Sequence, residues 1–272
     1  MAVDAQSRAT LADLVGGREW YHTMELAPGI VTPGFFDHRR IVGRLPFPAS
    51  LAGQRCLDVA TFDGFWAFEM ERRGAAEVIG IDILDPLAWD WPVTAPPEVI
   101  DALERRKQGG AGFRIAADAL GSSVEHRECS VYDLDPAQHG MYDLVYIGSL
   151  LMHLRDPVRA LERVRAVTRG RLLLVDNFSV WGSVVSPREP LARLDARGRP
   201  WWWKPNLAAL RRMVEAAGFA IETGPRPFLM PPGPELARKA PDPRGLRTRD
   251  GREELLRRLA GDPHAWLTAT PA

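Results

Sequence analysis

The sequence is short of almost every feature that would announce a partner. Of its 272 residues only two are cysteine, Cys56 and Cys129. Each lies in an apolar stretch and neither belongs to a CxxC pair, which leaves two reduced core thiols rather than a disulfide framework or a thiolate metal site. No run reaches the roughly 18 apolar residues that a membrane-crossing helix needs, so no membrane contact is expected. The first residues, Met1 to Leu14, show no basic segment followed by an apolar one, and the expected compartment is the cytoplasm. An excess of one charge is missing too: 35 Lys plus Arg stand against 35 Asp plus Glu. Proteins that wrap a nucleic-acid backbone draw affinity from neutralised phosphates and usually carry a basic excess. The balance therefore favours a small-molecule partner over nucleic acid.

What the chain does have is a core-forming composition, 46% apolar, in a length that suits one domain with insertions. Residues 1–50 hold weak periodicity and turn signals, and are read as an N-terminal lid or substrate segment. Regular alternation starts at residue 55. Apolar strands are expected over 55–59, 77–82, 124–128, 142–147, 171–176 and 219–222. Helices are expected over 64–73, 98–108, 112–120, 156–168 and 206–217, the fourth begun by Asp156 and Pro157. Two insertions, 84–122 and 179–204, interrupt a core domain spanning 51–230. Residues 231–272 are read as a tail with one short helix near 252–259. Strands that are continuously apolar and alternate with helices imply an α/β fold with a mainly parallel sheet covered on both faces. Ligands of such sheets bind at the carboxyl ends of the strands.

The residues following each strand therefore carry the functional signal. After the first strand comes Asp58-Val59-Ala60-Thr61-Phe62-Asp63-Gly64, a tight turn of the kind that brings backbone amides to a ligand. Nucleotide-binding turns normally show several glycines, and this one keeps only Gly64. Asp82 closes the second strand, 24 residues after Asp58, where an acid can accept both hydroxyls of a ribose. By themselves these features suit NAD as well as S-adenosylmethionine.

Three segments taken together narrow the choice. Residues 57–66 resemble the first motif of class I S-adenosylmethionine-dependent methyltransferases. Ile147 to Leu154 with Asp156-Pro157 resembles the family's post-strand-four segment, and residues 205–219 resemble its late helix–turn–strand. The combination, spanning about 18–225, is similar to the tRNA wobble-uridine carboxymethyltransferase-like branch. The resemblance implies a Rossmann-like, mainly parallel seven-stranded sheet with an antiparallel last strand. It further implies S-adenosylmethionine as cofactor. Asp58, Ala60, Thr61, Phe62 and Gly64 would lie about its methionine part, Asp82 and Ile83 at the ribose, Ser130, Val131 and Tyr132 at the adenine, and Gly148 under the sulfonium. The carboxymethyl-transferring members carry a Tyr before the His of the post-strand-four segment. Here Met152 stands in that place and cannot donate a hydrogen bond, so transfer of a plain methyl group is expected.

Methyl transfer from a sulfonium needs chiefly in-line alignment, with a base where the acceptor is a hydroxyl. Two histidines are candidates, His153 after the fourth strand and His22 in Trp20-Tyr21-His22-Thr23, and the choice between them is open. Trp20, Tyr21, Glu25, Asp176, Trp201 and Trp203 are expected at the acceptor. Stacking by the tryptophans competes with core filling, since three in a row, Trp201 to Trp203, cannot all face one way. Asp176-Asn177 resembles a magnesium-binding pair of catechol-type methyltransferases, yet Gly148 to Leu150 supplies no further acid, so no metal is expected. Residues 238–258 carry eight basic against four acidic side chains, which is read as a solvated helix and tail. The resulting expectation is O-methylation of a secondary metabolite or sugar-like small molecule. A tRNA-modifying methyltransferase, an NAD-dependent dehydrogenase and a non-catalytic nucleotide-binding scaffold are the alternatives. The oligomeric state, including a homodimer, is open.

Overall fold

In the computed structural model, which describes residues 5–196, 200–238 and 247–272, seven strands form one sheet. They are β1 (Arg55–Val59), β2 (Glu77–Asp82), β3 (Glu125–Glu128), β4 (Tyr142–Gly148), β5 (Thr168–Asn177), β6 (Phe219–Met230) and β7 (Asp262–Pro271). Their order across the sheet is β6-β7-β5-β4-β1-β2-β3. β1 to β5 pair in parallel, and β7 runs antiparallel to both β5 and β6. The chain order reverses between β1 and β4, and the crevice opens at the carboxyl ends of those two strands.

The longer helices among the described residues, of eight residues or more, are α1 (Ala5–Gly16), α2 (Phe65–Arg72), α3 (Pro97–Lys107), α4 (Ala111–Leu120), α5 (Pro157–Val167), α6 (Leu207–Ala216) and α7 (Arg249–Ala260). Their ends follow the side chains that cap them. Asp156 accepts from the Arg159 N–H at 3.0 Å with Pro157 in the first turn of α5, and Asn206 accepts from the Ala209 N–H at 2.8 Å to start α6. Successive strand residues point to opposite faces. Leu144 and Tyr146 join Trp66, Met70 and Phe113 on one side, while Val145 and Ile147 join Leu161, Val164 and Leu210 on the other. Cys56 is buried and Cys129 is half-buried, both as free thiols.

One reading of the sequence is corrected here. Residues 231–272 are not a tail outside the sheet, because Asp262–Pro271 is its seventh strand, wedged between β5 and β6. Its sequence mixes Pro263, His264, Thr268 and Thr270 with apolar residues, so no apolar run announces it. Residues 5–50 contain α1 and a small hairpin, Glu25–Ala27 with Ile30–Val31, which packs against α4 and α1. Among the described residues no helix is long and apolar enough to cross a membrane.

Candidate active site

The crevice deepens into a cavity of about 300 Å³ at the strand ends. Its floor is Val59, Ala60, Ile81, Asp82 and Gly148. The loop after β1 turns sharply to make it: Ala60 and Phe62 sit at φ 60° and 52°, and Gly64 at φ 90° starts α2. Left-handed backbone at two side-chain-bearing residues costs of order 1–2 kcal/mol each and persists because the surroundings hold it. That hold is Asp58, whose Oδ2 accepts from the Thr61 hydroxyl at 2.7 Å and the Ala67 N–H at 3.1 Å. Burial pushes the Asp58 carboxyl up to about 7. Asp58 and Thr61 thus brace the loop from beneath, bordering a small side cavity rather than the main one. Gly64 packs on Phe68 and Phe113, where a Cβ would come within 2.5–2.8 Å of their rings.

Asp82 ends β2 buried. Its Oδ2 accepts from the Phe62 N–H at 2.8 Å and its Oδ1 from the Ile83 N–H at 2.8 Å. The fully buried ammonium of Lys107, at the end of α3, lies 2.5 Å from Oδ2 and 4.5 Å from the centre of the Phe62 ring. Lys107 was not anticipated, because it falls in an insertion whose helix looks like an ordinary charged surface helix. Beyond Asp82 the cavity is walled by Ile83, Cys129, Ser130, Val131, Tyr132 and Leu154.

The two insertions meet over this part of the cavity through Asp90. Its Oδ2 accepts from the Tyr132 hydroxyl at 2.7 Å and the Arg155 N–H at 2.9 Å, and its carbonyl accepts from the Trp202 indole at 2.5 Å. Trp201 lines the cavity, Trp202 clasps the first insertion, and Trp203 donates to the Arg155 carbonyl at 3.0 Å. The expectation that three adjacent tryptophans face different ways holds, with Trp203 away from the cavity lining.

His153 lines the cavity. Its Nδ1 bonds the Pro200 carbonyl, which only accepts, so in the neutral ring Nδ1 carries the proton and Nε2 is bare. Burial lowers its pKa to about 4. His22 is walled off, packed against the rings of His38 and Phe65, and touches only the small side cavity. Tyr21 lines the main cavity, with burial raising its hydroxyl to about 12.

Besides Trp203, three more expected acceptor residues lie elsewhere. Trp20 is core, fully buried, with its indole donating to the Val15 carbonyl at 3.0 Å. Glu25 is exposed on the hairpin and accepts from the Gly29 N–H at 3.0 Å. Asp176 accepts from the N–H groups of Leu150, Leu151 and Asn177 at 2.7–3.0 Å and shapes the turn after β4 instead of lining the cavity. Burial raises that carboxyl to about 7. Of the basic run 238–258, residues 239–246 lie outside the described residues, while Arg257 pairs with Glu254 and Asp262 at 2.7–2.8 Å. No cluster of three or more metal-ligating side chains occurs among the described residues.

The far end of the cavity holds residues not anticipated: Phe35, Phe36, Leu103, Arg106, Arg257, Asp262 and His264. The antiparallel course of β7 explains the last two, since the start of that strand reaches the carboxyl edge of its neighbours. The N-terminal segment is tied down by Asp63, whose Oδ2 accepts from the Tyr21 and His22 N–H groups, and by Arg106, which pairs with Glu19 at 3.4 Å as well as with Glu235 at 2.7 Å. His38, buried beneath the lid beside His22 and Trp66, has its pKa lowered by burial to about 3.

That histidine gives a pH test. Its folded-state pKa is below the unfolded value near 6.5, so the unfolded chain takes the proton first. Its neutral form costs nothing above pH 6.5, and stability is lost as the pH falls from there toward about 3. In thermal unfolding between pH 7.5 and 4, His38→Phe is expected to lose less stability on acidification than the parent. Parallel curves would contradict the burial account.

The site fits S-adenosylmethionine on its own geometry. A carboxylate offers about four lone-pair positions. Three on Asp82 are used, which leaves one on Oδ1 for a hydroxyl, with further Lys107 N–H donors beside it. Gly148 has no room for a Cβ, which would stand 2.6 Å from the Tyr146 hydroxyl, so the cavity floor there is bare backbone.

Comparison with known proteins relates the chain to methyltransferases. Residues 57–174 match the family model described as a methyltransferase domain. The tRNA U34 carboxymethyltransferase of Methylococcus capsulatus is 27% identical over 192 residues, 66% of this chain and 48% of that protein. The enzyme of that name from Pseudomonas paraeruginosa is 29% identical over 171 residues, 62% and 46% of the two chains. The chain thus spans about half the length of the curated relatives it matches. Among solved structures, the N-terminal domain of EvdMO1 with SAH (S-adenosylhomocysteine) bound aligns with a TM-score of 0.56 at 15% identity, covering 99% of this chain and 98% of that one. The same domain in the presence of SAH and D-fucose gives a TM-score of 0.52 at 16% identity, with the same coverage.

Proposed function

We propose, from the premise that this chain carries a class I S-adenosylmethionine-dependent methyltransferase domain, that it methylates an oxygen of a small-molecule acceptor. The observation that carries this reading is the enclosure of the cavity. A lid and two insertions close over a slot lined mainly by apolar and aromatic side chains, with Tyr21, Phe35, Phe36 and Trp201 around its outer part. Such a shape suits a compact ring better than a polynucleotide.

When bound, S-adenosylmethionine supplies a methyl group already activated by its sulfonium. The residues of this chain then have three tasks. Asp82, Ile83 and the 129–132 segment hold the nucleoside, with Asp82 at the ribose and Val131 against the base. Gly148 and the turn shaped by Asp176 leave open backbone where the methyl carbon meets the acceptor. The aromatic outer wall orients the acceptor and keeps water out, which sharpens every polar contact inside. Of the two histidines expected from the sequence as base, His153 is the one that lines this cavity. Met152 lines it as well and offers no donor for a carboxylated cofactor, in keeping with plain methyl transfer.

The test is a product screen with isotopically labelled S-adenosylmethionine against phenols, sugars and total tRNA. Label in a small hydroxyl compound, released by conditions that cleave methyl ethers, is the expected result. A tRNA-modifying activity is the second reading, favoured by the relatives' names. Label in tRNA together with salt-sensitive gel-shift of tRNA would replace the first reading with the second.

A further inference from the structure

The cavity holds a hydrogen-bonded chain that the sequence motifs do not point to. Ser149 Oγ lies 2.9 Å from His264 Nε2, and His264 Nδ1 lies 3.1 Å from the Asp262 carbonyl and 3.5 Å from its carboxylate. Tyr21 lines the cavity with them. All four residues line the cavity, and His264 is 1% exposed.

The polarity of the chain follows from its donors. A carbonyl only accepts, so in the neutral ring Nδ1 carries the proton and donates to Asp262. Nε2 is then bare and accepts the Ser149 O–H. Ser149 is held at φ 52° directly after Gly148, with its N–H donating to the Val175 carbonyl at 2.8 Å. A serine in left-handed backbone at the end of β4 is strain of the kind that collects at functional sites. The Asp262 carboxylate is in turn fixed by Arg257 at 2.8 Å and the Asn177 amide at 2.9 Å. His153 and His264 each have a backbone carbonyl beside Nδ1, but His264 also has the Asp262 carboxylate 3.5 Å away, near enough to favour an imidazolium by its charge.

We propose that His264, reached through Ser149 and oriented by Asp262, takes the proton of the acceptor hydroxyl. The inference rests on the reading of the chain as an O-methyltransferase. The acceptor oxygen forms its bond to the methyl carbon as the methyl–sulfur bond breaks, the sulfur keeping the electron pair. The acceptor proton passes to Ser149 Oγ, and the serine's own proton passes to His264 Nε2. Positive charge moves from sulfonium to imidazolium and no further reactant is needed. Ser149 and His264 are catalytic residues in this scheme and Asp262 is a positioning residue.

Nitrogen NMR of histidine-labelled protein loaded with S-adenosylhomocysteine tests the polarity without any acceptor. The expected signal is a His264 ring protonated at Nδ1, with a bare Nε2 resonance that shifts in Ser149→Ala. A ring protonated at Nε2 would overturn the proposal. Transfer to a panel of phenols, including catechol and 4-nitrophenol, tests the role. His264→Gln is expected to lower kcat by ~10²–10⁴-fold, with KM and S-adenosylhomocysteine affinity within about threefold of the parent, a change small beside a decade in affinity. Asp262→Asn is expected to lower kcat less and to shift the acid limb of the pH profile. The groups facing His264 that bear on that limb are Asp262, Arg257, Lys204 and His38. A His264→Gln variant with the parent's kcat would sink the relay while leaving methyl transfer standing. Absence of S-adenosylhomocysteine binding in the parent would sink the methyltransferase reading and the relay with it.

Discussion

Replacing Asp82 with Ala is expected to weaken S-adenosylhomocysteine binding by ~100-fold or more, because hydrogen bonds to a charged acceptor contribute ~1.5–3 kcal/mol each. The same change is expected to cost ~3–5 kcal/mol of stability, the penalty for leaving one member of a buried ion pair alone. Both effects come from one side chain. Asp82 holds the Phe62 N–H that fixes the cofactor loop, and it neutralises Lys107, which is 2% exposed. The double variant Asp82→Ala/Lys107→Met separates them. With the cation gone, most of the stability returns, and the affinity does not. Recovery of affinity in the double variant would show that Asp82 is not the ribose acceptor.

The second large effect is expected at Asp63. Its Oδ2 accepts from the Tyr21 N–H at 2.6 Å and the His22 N–H at 3.1 Å, so a single carboxylate oxygen ties the lid to the loop after β1. Burial raises this carboxyl to about 6, with those two amides and the nearby Arg18 and Lys107 opposing the shift. Asp63→Ala strands two N–H groups, at ~1–3 kcal/mol for each left unpaired in a buried setting. The expected outcome is faster amide exchange across residues 20–36 and a raised KM for the acceptor, whose wall includes Tyr21, Phe35 and Phe36. Asp63→Asn keeps an acceptor oxygen and should show a smaller change. Unaltered exchange in Asp63→Ala would contradict the lid's attachment through this residue.

How much of this was legible beforehand depends on whether a residue acts within its own stretch of chain or across it. The sheet core was legible because β1, β2, β4 and β5 are apolar runs buried on both faces. Much of the cavity wall was legible because its residues follow parallel strands: Ala60, Phe62, Asp82, Ile83, Ser130, Val131, Tyr132, Gly148 and His153 all line the cavity. Asp58 and Asp176 were read as contacts and are braces, since a carboxylate at a strand end can serve backbone amides as readily as a ligand. Trp20 was drawn to the pocket by its neighbours, yet alternation sends Tyr21 into the cavity and Trp20 into the core. Lys107, Asp262 and His264 were missed because long-range packing brings them in. Their local sequence shows an ordinary charged helix and a mixed strand, and only the antiparallel course of β7 turns Asp262 and His264 toward Ser149.

Calorimetric titration of the purified chain with S-adenosylhomocysteine tests the central claim most directly. The account predicts one site of roughly micromolar affinity, about −8 kcal/mol, accompanied by a rise in unfolding temperature that Asp82→Ala abolishes. No heat and no thermal shift with millimolar ligand would contradict it.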